Sequence, residues 1–271
     1  MAVAHVNGID VYYEIHGDGP NLALVEGLGY HSWMWYRQLP AFSQHFRTLV
    51  YDNRGVGLSD KPPGPYSHRE NAADLAGLLD HLGWERTHVL GVSMGGFIAQ
   101  EFALAYSNRL DRLVLVATAF GGPNMVPLSP EAVRALTPDP TLSPEGKIRS
   151  AMPLAFAAPA WVQDHPDEFE QIVGWRLEQP QPPEAALAQA MAGFTFDVES
   201  RLGEIEAPTL LIAGTEDHVV PPANARLLAA ALPDARLEII PGAGHLVQIE
   251  EAERFNRDVI AFLEGAATGE R

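Results

Sequence analysis

The segment Gly91-Val-Ser93-Met-Gly95-Gly decides the fold of this chain, because it joins two different sequence patterns. It follows an apolar run at residues 87–90 and opens a stretch rich in Ala and Phe, residues 95–106, that is compatible with a helix. A serine in a sharp turn between a strand and a helix is the context of a nucleophile elbow. Glycines two positions before and after the serine let strand and helix pass closely without Cβ clashes. The alternative is a glycine-rich turn that holds an incidental serine.

Strands and helices alternate on both sides of this segment. One apolar stripe at i, i+3, i+4 and i+7 predicts a helix over residues 71–83, and further helices are predicted at about 222–231 and 249–263. Short runs of apolar or β-forming residues predict strands at 11–15, 22–25, 47–51, 87–90, 113–116, 209–212 and 237–240. This alternation predicts βαβ units and a mostly parallel sheet.

The alternation stops after Ala119 and resumes at residue 209. Residues 121–204 carry many prolines and a mixed helical pattern, with no convincing strand. The simplest domain organisation is an α/β core formed by residues 1–120 and 205–271, into which residues 121–204 are inserted as a helical segment. We call residues 121–204 the helical insertion.

Two polar residues after the last two predicted strands can complete a site with Ser93. A serine hydroxyl is a poor nucleophile and needs a base that is itself oriented by a third group. His245 closes the loop Pro241-Gly-Ala-Gly-His245, and Asp217 lies in the loop after the preceding strand. Both positions are at the carboxyl ends of strands, where open α/β sheets build their sites. Glu216, directly beside Asp217, is the competing candidate for the acid.

Several ordered motifs give the chain a family resemblance. The glycine loop at residues 52–60 follows a central strand, and Gly244-His245 is followed by Glu250 and by Phe255-Asn256. With the serine turn, these motifs resemble those of α/β-hydrolase-fold enzymes over nearly the whole chain.

The resemblance implies an α/β-hydrolase fold: a mostly parallel central sheet flanked by helices, with an inserted helical cap. It implies Ser93 as nucleophile, Asp217 as acid and His245 as base. The helical insertion would then be the cap, or lid, that covers the substrate pocket.

Catalysis of this kind also needs two backbone N–H groups aimed at the developing negative charge. One is expected from Met94, directly after the proposed nucleophile. The other is expected from Leu28, because Glu26-Gly-Leu28-Gly29 corresponds to the family's usual His-Gly-x-x-Gly. We call residues 26–29 the oxyanion loop.

Glu26 departs from the family pattern, since histidine is commonest at its position. A carboxylate that faced an oxyanion would oppose catalysis, so we expect Glu26 to point away and to bond loop amides or polar side chains. The functional alternative is a Glu26 with a raised pKa that affects substrate protonation.

Aromatic residues supply candidates for the substrate pocket, because a cap over an acyl site provides apolar walls. The predicted pocket residues are Trp35, Trp161, Trp175 and Phe194. Packing between insertion and sheet is the equally weighted alternative for each of them. Arg134, Arg149 and Arg176 could meet a substrate carboxylate, although surface ion pairing is the preferred interpretation.

The predicted function is hydrolysis of small carboxylic esters or lactones through an acyl-enzyme on Ser93, without a cofactor or a metal. The alternatives are an activity like that of 3-oxoadipate enol-lactonases, carbon–carbon bond hydrolysis, cofactor-free perhydrolysis, or a slow-turnover ligand receptor on the same fold. The enol-lactonase alternative requires a cationic contact for the substrate carboxylate, and the sequence does not place one.

Composition excludes several other classes. The 271 residues include no cysteine, which removes disulfides, thiolate catalysis and cysteine metal sites. A formal net charge of −17 argues against nucleic acid or anionic membranes as partners. The N-terminus lacks the features of a signal peptide, and no apolar run reaches the ~20 residues of a membrane span. We therefore expect a cytoplasmic protein with a small-molecule partner; its oligomeric state is not predicted.

Overall fold

The computed structural model describes residues 2–137, 139, 141–156 and 158–265. Within them, one eight-stranded sheet has the order β1-β2-β4-β3-β5-β6-β7-β8. The pairs β1/β2 and β2/β4 are antiparallel, and all other neighbours are parallel. The strands are β1 (Ala2–Val6), β2 (Ile9–His16), β3 (Asn21–Val25), β4 (Arg47–Tyr51), β5 (Thr87–Val92), β6 (Leu110–Val116), β7 (Thr209–Gly214) and β8 (Ala235–Ile240).

Helices connect the strands and cover the sheet. They are α1 (Leu39–Phe42), α2 (His68–His81), α3 (Met94–Ala105), α4 (Pro130–Leu136), α5 (Pro144–Ala151), α6 (Ala158–Asp164), α7 (Pro166–Glu178), α8 (Pro183–Phe194), α9 (Ala223–Ala231), α10 (Val247–Glu250) and α11 (Ala252–Leu263). The helices α4 to α8 lie between β6 and β7, within the helical insertion. None of the helices in the described ranges is both long enough and apolar enough to cross a membrane.

The central strands are apolar on both sides because helices bury both faces of the sheet. In β3, Ala23 and Val25 belong to one core cluster with α2 and α3, whereas Leu22 and Leu24 belong to another with α11. This alternation follows from the two-residue period of a strand. Every residue of β5 and of β7 is buried. The strands that precede Ser93 and Asp217 therefore form a rigid base for the loops at their carboxyl ends.

The structure confirms each predicted strand and adds one. The added strand is the edge strand β1, which pairs with β2 across the turn at Asn7-Gly8, a dipeptide typical of hairpins. The helix predicted at 249–263 is two helices, α10 and α11, which meet at Glu251. The helix predicted at 71–83 begins earlier, at His68, because the Ser67 side chain accepts a hydrogen bond from the Glu70 N–H and caps it.

The helical insertion is fastened to the core beside the oxyanion loop. The Trp175 ring of α7 packs against Trp33 and Tyr36, with ring centroids 5.3 and 4.9 Å apart. The Arg37 Nε donates to Glu168 of α7 at 2.7 Å. These contacts place the carboxyl end of α7 directly above the oxyanion loop.

Candidate active site

Ser93 lies in the turn between β5 and α3, with φ +56° and ψ −117°. A positive φ is strained for a residue with a Cβ, and such strain is typical of functional turns. A Cβ on Gly91 would lie 2.2 Å from the Gly95 carbonyl oxygen, and one on Gly95 would lie 2.1 Å from the Val25 oxygen. Only glycine fits at these two positions, so the elbow predicted from the sequence has the expected physical basis.

The structure brings Ser93, His245 and Asp217 into one hydrogen-bonded chain. His245 Nε2 lies 3.0 Å from Ser93 Oγ, and His245 Nδ1 lies 2.8 Å from Asp217 Oδ2. Asp217 and His245 are buried, whereas Ser93 is partly exposed. Such a chain can remove the serine proton during attack and stabilise the imidazolium that results.

Backbone N–H groups fix the Asp217 carboxylate. The amides of Val219 and Val220 donate to Oδ1 at 2.9 and 2.8 Å, which leaves Oδ2 for His245. The competing acid, Glu216, is exposed and accepts a hydrogen bond from the Thr215 hydroxyl instead. Of these two carboxylates, the structure therefore places Asp217 against the histidine.

The two predicted oxyanion donors are backbone amides with no acceptor. Met94 begins α3, and the first N–H groups of a helix have no partner inside it. Neither the Met94 N–H nor the Leu28 N–H donates to a backbone or side-chain acceptor in the part of the chain that the structure describes. Leu28 and Gly27 also line the same cavity as Ser93 and His245. The arrangement is suited to bind an oxyanion next to Ser93.

A cavity of about 860 Å³ lies over these groups. Its floor includes Gly27, Leu28, Ser93 and His245, from the loops at the carboxyl ends of the strands. Its roof comes from α4, α5 and the connection between α7 and α8, all within the helical insertion. The volume is that of a small-molecule site.

None of the four predicted aromatic pocket residues lines this cavity. Trp35 is fully buried in the core. Trp161 is stacked on Phe156, with ring centroids 4.1 Å apart, and Trp175 packs against Trp33 and Tyr36. The Phe194 side chain is exposed on α8. The expectation for these four residues is corrected, because packing within and beneath the insertion uses the rings of the first three.

Comparison with known proteins agrees with this geometry. The model of the alpha/beta hydrolase family matches residues 15–258. The chain belongs to this family. A putative carbamate hydrolase RutD of Azorhizobium caulinodans is 31% identical to this hydrolase over 97% of this chain and 98% of its own. A 2-hydroxy-6-oxononadienedioate/2-hydroxy-6-oxononatrienedioate hydrolase of Burkholderia vietnamiensis is 35% identical, over 93% of this chain and 90% of its own.

The fold of this hydrolase is also similar to solved structures. The crystal structure of the enol-lactonase from Burkholderia xenovorans LB400 superposes with a TM-score of 0.86 at 32% identity, covering 97% of this chain and all of the other. The eight-stranded sheet with flanking helices, described above for residues 2–265 with their gaps, is thus that of an α/β hydrolase.

Arg176 is a feature of the hydrolase cavity that its sequence did not single out among the three insertion arginines. Arg134 pairs with Glu131, and Arg149 pairs with Glu145 and Glu170, as surface ion pairs. Arg176 has no carboxylate within 4.0 Å among the residues described here, and it lines the cavity. Its guanidinium lies over the Tyr30 ring, 4.5 Å from the centroid. Only the tertiary structure distinguishes this arginine from the other two.

Glu26 is fully buried behind the oxyanion loop of the hydrolase. Its Oε1 accepts a hydrogen bond from the Asn53 N–H at 2.7 Å, so the expectation that it bonds a loop amide is confirmed. Burial and the negative charge of Asp52 raise the pKa of Glu26 well above its ordinary value.

The described residues contain no group of three or more His, Asp or Glu side chains arranged to hold a metal ion.

Proposed function

We propose that this hydrolase cleaves small carboxylic esters or lactones through an acyl-enzyme on Ser93. The observation that carries the proposal is the 3.0 Å contact of Ser93 Oγ with His245 Nε2 inside the cavity. The amides of Leu28 and Met94, which have no acceptor within the described ranges, lie beside it, where a carbonyl oxygen would become an oxyanion. The helical insertion acts as the cap that encloses the substrate.

Acylation in this scheme begins when Ser93 Oγ attacks the carbonyl carbon and His245 Nε2 accepts the hydroxyl proton. Asp217 holds the imidazole tautomer and stabilises the imidazolium. The amides of Leu28 and Met94 bind the oxyanion of the tetrahedral intermediate, and each such donor contributes about 3–4 kcal/mol to the transition state. The carbon–oxygen bond to the leaving alkoxide then breaks, and the alkoxide takes the proton from His245.

Deacylation repeats the same steps with water as the nucleophile. His245 accepts a proton from water, whose oxygen attacks the acyl carbonyl. Collapse of this second intermediate breaks the ester bond to Ser93, and His245 returns the proton to Oγ. The product acid leaves and the free serine is restored.

A second candidate function is cleavage of a substrate that carries its own carboxylate, either a lactone or a carbon–carbon bond substrate. Arg176 favours it, because a partly buried guanidinium that has no acidic partner among the described residues can bind a carboxylate through charge-assisted hydrogen bonds. It lies at the oxyanion loop, where an added Cβ on Gly29 would be 3.3 Å from Arg176 Nη2. The enol-lactonase and the oxononadienedioate hydrolase named above give this candidate further support.

Steady-state hydrolysis of p-nitrophenyl esters from acetate to decanoate tests the first proposal, with Ser93→Ala as the control. We expect turnover above ~1 s⁻¹ that peaks at one chain length, and a loss of about 10³-fold or more in the variant. A p-nitrophenyl carbamate, run beside the esters, tests whether carbamates are the better substrates. Failure across the ester series would contradict the general esterase proposal, and a single turnover only would support the receptor alternative.

Arg176→Met separates the two candidates when paired carboxylated and neutral lactones are compared. Loss of a charge-assisted contact raises KM for the carboxylated lactone by about 10- to 100-fold and leaves the neutral lactone unchanged. Arg134→Met is the matched control, because Arg134 also lines the cavity but already pairs with Glu131. Equal effects on both lactones would contradict carboxylate recognition by Arg176.

A further inference from the structure

Glu26 ties together the loops that follow two neighbouring strands. It comes directly after β3 and begins the oxyanion loop, while Asn53 follows β4, which pairs with β3 in parallel. The hydrogen bond from the Asn53 N–H to Glu26 Oε1 spans the two loops. The main chain of residue 26 also packs tightly, since an added Cβ on Gly95 would lie 2.8 Å from the Glu26 carbonyl oxygen. Any change at Glu26 therefore reaches the loop that carries the Leu28 amide.

The neighbouring carboxyl group of Asp52 is solvated far better by the protein. Asp52 Oδ1 accepts from the Ser32 N–H at 2.8 Å, and Oδ2 accepts from the Leu58 N–H at 2.7 Å. Glu26 Oε1 accepts from the Asn53 N–H, and Glu26 Oε2 has no partner among the described residues. A buried carboxylate needs several donors to keep its charge. Burial and the negative charge of Asp52 outweigh the donors around Glu26, which favours a proton on Glu26.

Other unpaired polar atoms are found on the segment that faces Glu26. The Tyr51 hydroxyl and Asn53 Nδ2 are buried and lack partners within the described parts of the chain. Burial, and next to it the negative potential that Glu26 has when it is ionised, raise the pKa of Tyr51, so the two groups are close enough to interact. A protonated Glu26 can donate to such a hydroxyl, whereas an ionised one cannot.

We propose that Glu26 is a positioning residue that holds the oxyanion loop as a neutral carboxylic acid, and that its ionisation weakens stabilisation of the oxyanion. This inference rests on the proposed function for its kinetic consequence, but the protonation of Glu26 does not. The positive N–H groups of residues 28 and 94 act on a reacting oxygen in a site of low dielectric. A new negative charge on the same short loop opposes the charge that develops there.

The charged groups around Glu26 come from three segments. Asp52 and Tyr51 face it from β4 and the loop that follows. His31 Nδ1 lies 3.9 Å from Asp52 Oδ1, and its pKa is lowered by burial. The Arg54 guanidinium is engaged by Asp74 at 2.6 Å. The effect of Glu26 is sought on the alkaline side, where its carboxyl group loses its proton.

Glu26→Gln and Glu26→Ala distinguish a neutral positioning group from a charged or merely structural one. Glutamine keeps the shape, the acceptor and a donor, but it cannot ionise. The probe is a p-nitrophenyl alkylphosphonate, so the assay does not require knowledge of the natural substrate. Ser93 Oγ bonds to phosphorus, p-nitrophenolate leaves, His245 accepts the serine proton, and the phosphoryl oxygen occupies the oxyanion site.

We expect the rate constant for modification of Ser93 to be within about threefold of the native value in Glu26→Gln at pH 7, and at least about tenfold lower in Glu26→Ala, which loses the tie. The native protein should lose rate as the pH rises and Glu26 ionises, and Glu26→Gln should not. Equal losses in both variants, or the same alkaline decline in Glu26→Gln, would overturn the proposal.

Two further measurements do not require activity. At pH 7 the native protein should show the infrared carbonyl stretch of a protonated carboxylic acid, and Glu26→Gln should lack this band. Because the folded pKa is raised, native stability is fully present below the unfolded pKa of about 4.3 and is lost as the pH rises toward the folded pKa. The melting temperature of Glu26→Gln relative to native should therefore increase with pH. If Glu26→Gln keeps the infrared band, or if the difference in melting temperature does not change with pH, a neutral Glu26 is contradicted. Both outcomes can be read even if the protein proves inactive on every ester.

Discussion

The floor and the roof of the cavity are built differently. The floor residues Ser93 and His245, with Asp217 behind His245, lie in loops at the carboxyl ends of β5, β8 and β7, and hydrogen bonds fix the Asp217 carboxylate. The roof belongs to the helical insertion, where residues on α4, α5 and α7 reach the cavity from separate helices. The chemistry is therefore encoded locally at strand ends, whereas substrate selection depends on how separate helices of the insertion pack together.

The largest expected effect is on the floor. Asp217→Asn should lower kcat by about 10⁴-fold, because the amide stabilises the wrong histidine tautomer. The magnitude comes from the serine-protease triad and is applied here by analogy. Glu216→Gln is the matched control and should leave kcat within about twofold. Equal losses in the two variants, measured on the best p-nitrophenyl ester, would contradict the assignment of the acid.

Packing beneath the roof gives the next effect. Trp35→Ala should lower the free energy of unfolding by about 3–5 kcal/mol, because a fully buried ring leaves a cavity. Phe194→Ala should change it by less than about 0.5 kcal/mol, since the Phe194 side chain is 56% exposed. Urea denaturation measures both. A small effect of Trp35→Ala would mean that Trp35 is not part of the core.

A buried histidine, His68, lies where the α/β core meets the helical insertion. His68 of α2 is buried between Phe97 and Phe196, with ring centroids 5.3 and 5.4 Å away. Burial lowers the pKa of His68 from 6.5 to about 4. The stability that neutral His68 contributes is therefore present above pH 6.5 and is lost as the pH falls through 4.

Replacing this histidine should remove that loss. Relative to native, His68→Leu should gain up to about 3 kcal/mol of unfolding free energy between pH 7 and pH 4. The control is Phe97→Leu, which changes the same ring cluster without removing a titratable group, so the native acid limb should remain. Denaturant titrations at each pH measure the gain. A native acid limb that persists in His68→Leu would show that another group causes it.

The floor of the cavity was more predictable from the sequence than its roof. The turn around Ser93 was predictable because glycines are sterically required beside the serine, and Asp217 and His245 because each follows an apolar strand. The pocket was not predictable. A tryptophan suits a core as well as a cavity wall, and the Trp161 ring stacks on Phe156 instead of lining the cavity.

Arg176 is a cavity residue that the sequence alone did not distinguish from neighbouring arginines. Its sequence context resembles that of Arg134 and Arg149, and only tertiary contacts reveal that those two are paired with acids. Glu26 lies between these cases. Its departure from the family pattern was visible in the sequence, but its contact with the Asn53 amide and its burial were not.

The acyl-enzyme itself gives the most direct test of the account. The hydrolase is mixed with its best p-nitrophenyl ester, quenched in acid within the first turnover, and analysed by peptide mass spectrometry. We expect one acyl group per chain on Ser93, formed with a burst of p-nitrophenol and absent from Ser93→Ala. Turnover that persists in Ser93→Ala, or an acyl group on another residue, would contradict it.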